Sequence, residues 1–132
     1  YGRKWISLKG NLFMSIFYNL NKVNIPLNDL TKINRDIIKK TISSFYKKKI
    51  TFKFPNDLLI NNQKICGILQ EIVNKKNQKF LILGVGMNII KSPYISNYPT
   101  TNLYEITGKK LSYKLVANLL KSKFEKKFSK FF

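Results

Sequence analysis

The chain has 132 residues, with 25 Lys or Arg against six Asp or Glu, one Cys and no His. This length allows one domain, and a hydrophobic content of 44% is enough for a packed core, which excludes general disorder. The absence of His and the single Cys exclude a Ser-His-Asp triad, a disulfide framework and a zinc site of the usual kind.

The net charge of +19 has two interpretations. A strongly basic chain with aromatic residues among its lysines could be a nucleic-acid-binding module. However, Arg, which recognises phosphate in a bidentate way, occurs only at Arg3 and Arg35, and the chain is rich in Lys, Asn and Ile. Because an AT-rich genome produces that composition whatever the function, we favour composition bias and keep nucleic-acid binding as an alternative.

The hydrophobic pattern predicts a strand over residues 12–18 and then a helix that begins near Asn28. On this helix the apolar residues recur at steps of three and four, which places them on one face; they are Leu30, Ile33, Ile37, Ile38, Ile42 and Phe45. Asn28 or Asp29 is the expected N-cap, because a side-chain oxygen there can accept a hydrogen bond from the first N–H groups of a helix.

Short strands and polar turns follow this helix. The predicted extended segments are residues 50–54, 58–60, 65–73 and 80–89, with turns at 61–62 and 74–78. Residues 91–110 have the composition of a loop, and Ser112 is the expected N-cap of a last helix. Cys66 lies among apolar residues and is predicted to be a core side chain. This order predicts an α+β fold, in which helices flank a mixed, mainly antiparallel sheet.

The first candidate functional segment is the basic loop that opens the chain. It contains Arg3 and Lys4 beside Trp5, the only Trp. Arg and Lys can contact phosphate oxygens, and an indole ring can cover a planar group. The same residues could equally form an ordinary surface loop anchored by its Trp.

The second candidate is the segment from Lys53 to Asp57. Pro55 fixes its own φ and favours extended geometry in the residue before it, so Asn56 and Asp57 should lie at a rigid corner. Asp57 is one of only six acidic residues and lies between Lys53 and Lys64 in the sequence. It could form a structural ion pair or act as an active-site acid, and the sequence leaves both roles open.

The third candidate combines a lysine with glycines inside predicted strands. Lys64 precedes Gly67 by three residues, and a strand glycine indicates a bulge or a ligand close to the backbone. Lys64 could reach the same ligand. Gly84 and Gly86 repeat the pattern in a later strand, just before the polar side chain of Asn88.

Taken together and in order, these segments resemble the biotin–protein ligase family, the biotin–[acetyl-CoA-carboxylase] ligases. That family carries the motifs G-R-G-R-x-G-R-x-W, K-W-P-N-D, K-(I/L)-x-G-I-L-x-E and G-I-G-I-N. The matching segments here are residues 1–5, 53–57, 64–71 and 84–88, and residues 100–103 resemble the family's (A/T)-T-S-L segment. Any one motif is weak, whereas four in order with compatible spacing are specific.

The resemblance implies a two-step reaction. In the first step the biotin carboxylate attacks the α-phosphorus of ATP, which binds with Mg²⁺, and pyrophosphate leaves. In the second step a lysine of the biotin carboxyl carrier protein of acetyl-CoA carboxylase attacks the biotinyl-5′-adenylate and forms an amide. Because both reactants of the first step are anions, the site needs cations that offset their repulsion.

The resemblance also implies roles for individual residues. Lys64 would bridge the biotin carboxylate and the α-phosphate, and Arg3 would contact phosphate from the opening loop. Asp57 would lie near the phosphates and could orient the acceptor lysine. The remaining implied contacts are with the substrates: Trp5 covers the adenylate, Lys53 and Asn56 lie near the phosphates and Mg²⁺, Gly67 and Ile68 present backbone to biotin, and Asn88 helps to hold the nucleotide.

The resemblance spans about residues 1–105 and departs from the family pattern in places. Phe54 stands where the family has Trp, and the first half of the glycine-arginine loop and earlier biotin-pocket segments would precede Tyr1. We therefore expect residues 1–132 to be the C-terminal portion of a single catalytic domain whose N-terminal part is missing. Alone, this portion should bind biotin poorly and have weak or no activity.

Further expectations follow from the resemblance and from the composition. The resemblance implies a cytoplasmic ligase, with a homodimer as one assembly. No apolar run approaches the roughly 20 residues of a membrane span, and no helix-turn-helix is predicted, so we expect no membrane and no specific DNA partner. A lipoate-type ligase on a related fold is a second alternative, although its sequence would not be expected to match Lys-x-x-Gly-Ile-Leu.

Overall fold

A five-stranded sheet forms the centre of the computed structural model, which describes residues 9–129. In chain order the elements are β1 (Leu12–Asn19), α1 (Leu27–Ser43), β2 (Thr51–Lys53), β3 (Asp57–Ile60), β4 (Gln63–Lys75), β5 (Gln78–Met87), α2 (Leu103–Thr107) and α3 (Tyr113–Phe128). The strands lie in the order β1-β5-β4-β3-β2, and each neighbouring pair is antiparallel. An isolated parallel bridge joins Lys64 to Thr100. The predicted α+β class with a mainly antiparallel sheet is confirmed.

Two tight hairpin turns set the register of the central strands. Asn61 and Asn62 link β3 to β4 with φ values of 51° and 61°, and Lys76 and Asn77 link β4 to β5 with values of 50° and 62°. Two central residues with positive φ give the turn whose twist matches that of antiparallel strands, and Asn tolerates this conformation better than most residues. Both turns were predicted from the sequence.

Two features of the helices differ from the prediction. Helix α1 is preceded by Pro26, no side chain caps it, and Asn28 and Asp29 lie inside its first turn, so the predicted caps are wrong. Proline suits this position because its missing N–H would have no partner at a helix start. The second difference is α2, a short helix within the predicted loop at 91–110 that is capped by Asn102. Five residues are too few to show a helical period.

Helices α1 and α3 cover one face of the sheet. Tyr18 of β1 is fully buried between them, and its hydroxyl donates to the side-chain oxygen of Asn34 at 2.7 Å. Its ring meets those of Phe124 and Phe128 edge to face, with centroids 6.5 and 5.2 Å away. The opposite face is therefore the one on which a site can be built. Within residues 9–129, neither these helices nor α2 combine the length and apolar character needed to cross a membrane.

Asn11 joins the start of β1 to the chain that leaves β5. Its side-chain oxygen accepts hydrogen bonds from three consecutive N–H groups, and its amide donates to a carbonyl in the same turn; the partners are Ile89, Ile90 and Lys91. Gly10, just before it, has a φ of 92°, and a Cβ at that position would lie 2.2 Å from Ile90 Cδ1. Glycine is therefore required at position 10 for both conformation and space.

We expect Gly10→Ala to lower the free energy of unfolding by roughly 2–3 kcal/mol, because left-handed backbone strain adds to the collision with Ile90. Gly108→Ala is the matched control. Gly108 also has a positive φ, of 73°, but nothing lies within 4 Å of a Cβ there, so only about 1 kcal/mol should be lost. Urea unfolding of both variants provides the measurement. Equal losses would contradict the contact between Gly10 and Ile90.

Candidate functional site

A carboxylate lies between two lysines at the corner that joins β2 to β3. The turn is residues 54–56, which include a cis Phe54–Pro55 peptide bond, and the register pairs Lys53 with Asp57. Asp57 Oδ1 lies 3.3 Å from Lys64 Nζ, with 21% of the Lys64 side chain and 17% of the Asp57 side chain exposed. The ion pair that the sequence left open is therefore present, and it is only partly covered.

A bulge in β4 turns Lys64 toward Asp57. The pairing of β3 with β4 passes from Leu58–Cys66 to Leu59–Lys64, so Ile65 is the extra residue. Ile65 and Cys66 both lie in the buried core. Without the extra residue, alternation along the strand would place Lys64 on the same face as Cys66, under the helices.

The sequence left two interpretations open for Gly67, a bulge or a ligand close to the backbone. The structure pairs Gly67 regularly, with Asp57 on one side and Gly86 on the other. Of the two interpretations of Gly67, the bulge is excluded because it falls at Ile65, and a ligand close to the backbone is the one that remains.

The backbone of Lys64 is held independently of its side chain. Its N–H donates to the Pro99 carbonyl at 2.8 Å, and its carbonyl accepts from the Thr101 N–H at 2.9 Å. Asn88 reinforces this arrangement, because its side-chain amide donates to the carbonyls of Lys64 and Thr101 at 3.3 and 3.0 Å. Residues 98–101 are thereby fixed beside the start of β4.

Tyr98 completes the cluster and was missed by the sequence analysis. Its hydroxyl donates a hydrogen bond to Asp57 Oδ2, and its ring centroid lies 4.3 Å from Lys53 Nζ and 5.7 Å from Lys64 Nζ. Burial raises the pKa of the Tyr98 hydroxyl above its usual value, and the hydrogen bond to Asp57 raises it further. The only available signal was an aromatic residue next to Pro99, just ahead of a segment that matches the family.

Three glycines, Gly67, Gly84 and Gly86, form a side-chain-free area on the sheet face opposite the helices; we call it the glycine patch. Gly67 pairs with Asp57 and with Gly86, which pairs in turn with Phe13. The residues that alternate with these glycines along β4 and β5 belong to the buried core. Lys53, Asp57 and the glycine patch therefore share one face, and a ligand there could approach the backbone closely.

The structure brings some predicted site residues together and separates others. Lys53, Asp57 and Lys64 meet at the corner, and Gly67 is the next residue across the sheet. The side chain of Ile68 belongs to the core on the helix side, and its N–H donates to the Asn56 carbonyl at 2.7 Å. This bond fixes the corner turn against β4. The predicted phosphate contact Arg3 and the predicted cover Trp5 lie outside the described residues.

Cys66 is a core side chain, as the sequence predicted. It is 1% exposed, and burial raises the pKa of its thiol to about 12. The nearby charge of Asp57 also raises this pKa, whereas that of Lys64 lowers it. At neutral pH the thiol is therefore protonated and does not act as a nucleophile.

This burial predicts a loss of stability at alkaline pH. The unfolded thiol loses its proton near pH 9 and the folded thiol near pH 12, so between these values the folded state binds more protons. The free energy of unfolding should then fall by up to about 1.4 kcal/mol per pH unit from this group. Cys66→Ala should flatten this slope, measured by urea unfolding between about pH 8 and 11. Identical slopes in both proteins would contradict the assignment.

The described residues offer little that could hold a metal ion by protein ligands alone. No group of three or more His, Cys, Asp or Glu side chains comes together within residues 9–129. At the corner the carboxylate is that of Asp57, and its two oxygens already contact Lys64 and Tyr98. A divalent cation at this site would have to bring most of its ligands with it, as Mg²⁺ does when it binds together with phosphates.

Comparison with known proteins gives matches along most of the chain. A family model, that of the biotin/lipoate A/B protein ligase family, matches residues 1–88. The bifunctional ligase/repressor BirA of Bacillus subtilis (strain 168) is 28% identical over 137 residues, which cover 96% of this chain and 41% of that protein.

Solved structures agree with these matches. The biotin protein ligase from Aquifex aeolicus in complex with biotin and ATP superposes with a TM-score of 0.78 at 28% identity, covering 98% of this chain and 55% of that one. LipL1 of P. falciparum in complex with lipoate has a TM-score of 0.64 at 21% identity and covers 92% of this chain and 35% of that one, which shows a shared fold alone. The chain thus spans about half the length, or less, of the proteins it matches.

Proposed function

This chain belongs to the biotin/lipoate A/B protein ligase family, and we propose that it performs the chemistry of ATP-dependent biotin ligation. The proposed reaction joins biotin to a lysine of a biotin carboxyl carrier protein through biotinyl-5′-adenylate. One observation carries the proposal: Lys64 Nζ lies 3.3 Å from Asp57 Oδ1, and Asp57 is in register with the glycine patch. A cation, a carboxylate and strand backbone without side chains thereby adjoin one another.

In the first step a biotin carboxylate oxygen attacks the α-phosphorus of ATP, and pyrophosphate leaves with the bonding electrons. The Lys64 ammonium bridges the biotin carboxylate and the α-phosphate and stabilises charge on the phosphoryl oxygens. Without this cation the two anions would repel each other. Lys53, opposite Asp57 in the register, adds a second positive charge. Arg3 contributes a phosphate contact and Trp5 covers the adenylate, as the family motif implies for those positions.

Biotin binds over the glycine patch. The absence of side chains at Gly67 and Gly86 lets an apolar chain lie against the strands, with its carboxylate directed toward Lys64. Ile68 contributes through its backbone, since its side chain belongs to the core. Asn56 lies near the phosphates, and Asn88 acts indirectly, because its amide is bonded to the backbone around Lys64.

In the second step the acceptor lysine attacks the acyl carbon of biotinyl-5′-adenylate, an amide forms and AMP leaves. Asp57 orients this lysine and accepts one of its protons, so that a free amine can attack. ATP enters as its magnesium complex, in which the phosphates supply most of the ligands of the ion. The acceptor protein, cytoplasmic location and homodimeric assembly implied by the resemblance are part of the same proposal for the whole protein.

A lipoate-type ligase is the second candidate, because the family includes lipoate ligases and a lipoate complex shares the fold. Lipoate is also a carboxylic acid with an apolar chain, so Lys64 and the glycine patch would suit it as well. The segment Lys64-Ile65-Cys66-Gly67-Ile68-Leu69 favours biotin, since it matches the biotin ligase motif.

The test measures acid-dependent pyrophosphate release by the full protein that contains this chain. Biotin, lipoate and no acid are compared with ATP and Mg²⁺ present, and the acyl-adenylate is identified by mass. We expect release with biotin, and amide formation after a biotin-accepting carrier domain is added. Release with lipoate alone would select the second candidate, and no release with either acid would contradict the proposal.

A further inference from the structure

The proposed reaction leaves Tyr98 without a role, although it contacts every charged group of the corner. The two oxygens of Asp57 are divided between two partners: Oδ1 faces the Lys64 ammonium at 3.3 Å, and Oδ2 accepts the hydrogen bond of the Tyr98 hydroxyl. The Tyr98 ring is also 4.3 Å from Lys53 Nζ. Asp57 is thus held from two sides.

Tyr98 is held by the backbone on which it sits. The residues that follow it, Pro99 and Thr101, are hydrogen-bonded to the backbone of Lys64 on both its N–H and carbonyl sides. A tyrosine attached to this rigid segment can keep its hydroxyl on Asp57 while the flexible Lys64 side chain moves. Long lysine side chains rotate readily, whereas a tyrosine has only two side-chain torsions.

Under the proposed function, on which this inference rests, Lys64 must leave Asp57 to bridge the biotin carboxylate and the α-phosphate. Asp57 Oδ1 then loses its ammonium partner, and Oδ2 keeps the Tyr98 hydroxyl. Asp57 Oδ1, a carboxylate oxygen that has lost its cation, can then bind another ammonium group. The second substrate of the reaction, a protein lysine, brings one.

We propose that Tyr98 is a positioning residue for the second half-reaction: it holds Asp57 so that Oδ1 takes up the acceptor lysine in place of Lys64. The acceptor ammonium gives one proton to Oδ1. The free amine nitrogen then forms a bond to the acyl carbon, the bond from that carbon to the phosphate oxygen breaks, and AMP leaves with the electron pair. The new amide nitrogen gives its remaining extra proton to solvent. The Tyr98 hydroxyl stays protonated throughout, because burial and Asp57 both raise its pKa.

The test separates the two half-reactions of the full protein. Premade biotinyl-5′-AMP and a carrier domain report the transfer step, and pyrophosphate release with biotin and ATP reports adenylate formation. Tyr98→Phe removes only the hydroxyl and keeps the ring beside both lysines. We expect it to slow transfer by about tenfold to a hundredfold and to change adenylate formation by no more than about twofold. Tyr94→Phe, in the same loop and 85% exposed, is the matched control and should change neither step.

The pH dependence of transfer gives a readout that a purely structural role would not move. Among residues 9–129, the titratable groups near Asp57 are the ammonium groups of Lys53 and Lys64 and the Tyr98 hydroxyl. Because the Tyr98 hydroxyl donates to the carboxylate that takes the proton of the acceptor lysine, removing it should shift the acid limb of the transfer rate in Tyr98→Phe. The limb of the Tyr94→Phe protein should stay with that of the parent.

A double-mutant cycle with Asp57→Asn completes the test and does not depend on one variant. If Tyr98 acts through Asp57, then adding Tyr98→Phe to Asp57→Asn should have no further effect on transfer. Additive losses, an unshifted acid limb, or equal losses in both half-reactions would overturn the role of Tyr98 while leaving biotin ligation in place. Failure of the parent protein to form biotinyl-5′-adenylate would overturn the proposed function, and this inference with it.

Discussion

Replacing Lys64 with Ala is expected to lower the rate of biotinyl-adenylate formation by about 10²–10³-fold in the full protein. The reason is electrostatic, because the two reactants are anions and the ammonium next to Asp57 is the charge that can lie between them. A group aimed at developing charge contributes most in a site from which water is partly excluded, and only 21% of this side chain is exposed. The measurement is single-turnover formation of the adenylate from biotin and ATP.

The Lys64→Ala protein should remain folded, so the loss can be assigned to chemistry. The backbone bonds of residue 64 to Pro99 and Thr101 do not involve the side chain, and Asp57 keeps the Tyr98 hydroxyl. Lys75→Ala is the matched control, since it removes an exposed lysine from the same strand. Parental rates in the Lys64→Ala protein, or an equal loss in the control, would contradict the role of Lys64.

The strands and turns could be predicted because their signals are local. Each hairpin turn contains Asn at positive φ, Asn61 and Asn62 in one and Asn77 in the other, and tolerance of that conformation is a property of the residue type. Alternation of apolar residues gave the strands, and recurrence at three and four residues gave α1. The two wrong predictions also have local causes. Helix α1 begins directly after Pro26, ahead of the predicted caps Asn28 and Asp29, and α2 is too short to show a helical period.

The geometry of the site could not be predicted in the same way, because it depends on contacts between distant residues. Tyr98 lies 41 residues from Asp57, and nothing in the sequence near Tyr98 indicates that partner. The bulge at Ile65 is also invisible in the sequence, since it is set by how β3 and β4 pair. Without the bulge, the Lys64 side chain would lie on the helix side of the sheet. The sequence motif therefore identifies the residue, whereas the pairing of β3 with β4 decides to which face its side chain points.

The net charge of +19 is a weaker guide than this corner. A nucleic-acid-binding module would owe its affinity to many exposed lysines, and its binding should fall steeply as salt increases. In the proposed function only a few cations act, and they contact small anions in a partly covered site. Biotin-dependent pyrophosphate release should therefore depend only modestly on ionic strength. Comparing its salt dependence with that of nucleic-acid binding tests the alternative function directly.

Filling the glycine patch at Gly84 is expected to block biotin without unfolding the domain. A Cβ at Gly84 would meet only Leu69, at 3.7 Å, which is an ordinary contact, and valine is favoured in strands. Gly84→Val should therefore keep its folded structure but place two methyl groups on the face shared with Gly67 and Gly86. We expect the biotin affinity of the full protein to fall by roughly tenfold to a hundredfold in calorimetry.

A graded series and a neighbour distinguish this effect from general damage. Gly84→Ala adds one carbon and should cause a smaller loss, because the obstruction grows with the volume placed over the patch. Ser15→Val adds its bulk on the same face but on the adjacent strand, at the exposed residue paired with Gly84, and should lower biotin affinity less than Gly84→Val does because it leaves the three glycines unchanged. Binding of ATP alone should be unchanged in all three proteins, since the nucleotide is expected at the Lys53 and Lys64 end. Undiminished biotin affinity in Gly84→Val would mean that biotin does not bind over the glycine patch, and the binding site proposed for it would then be wrong.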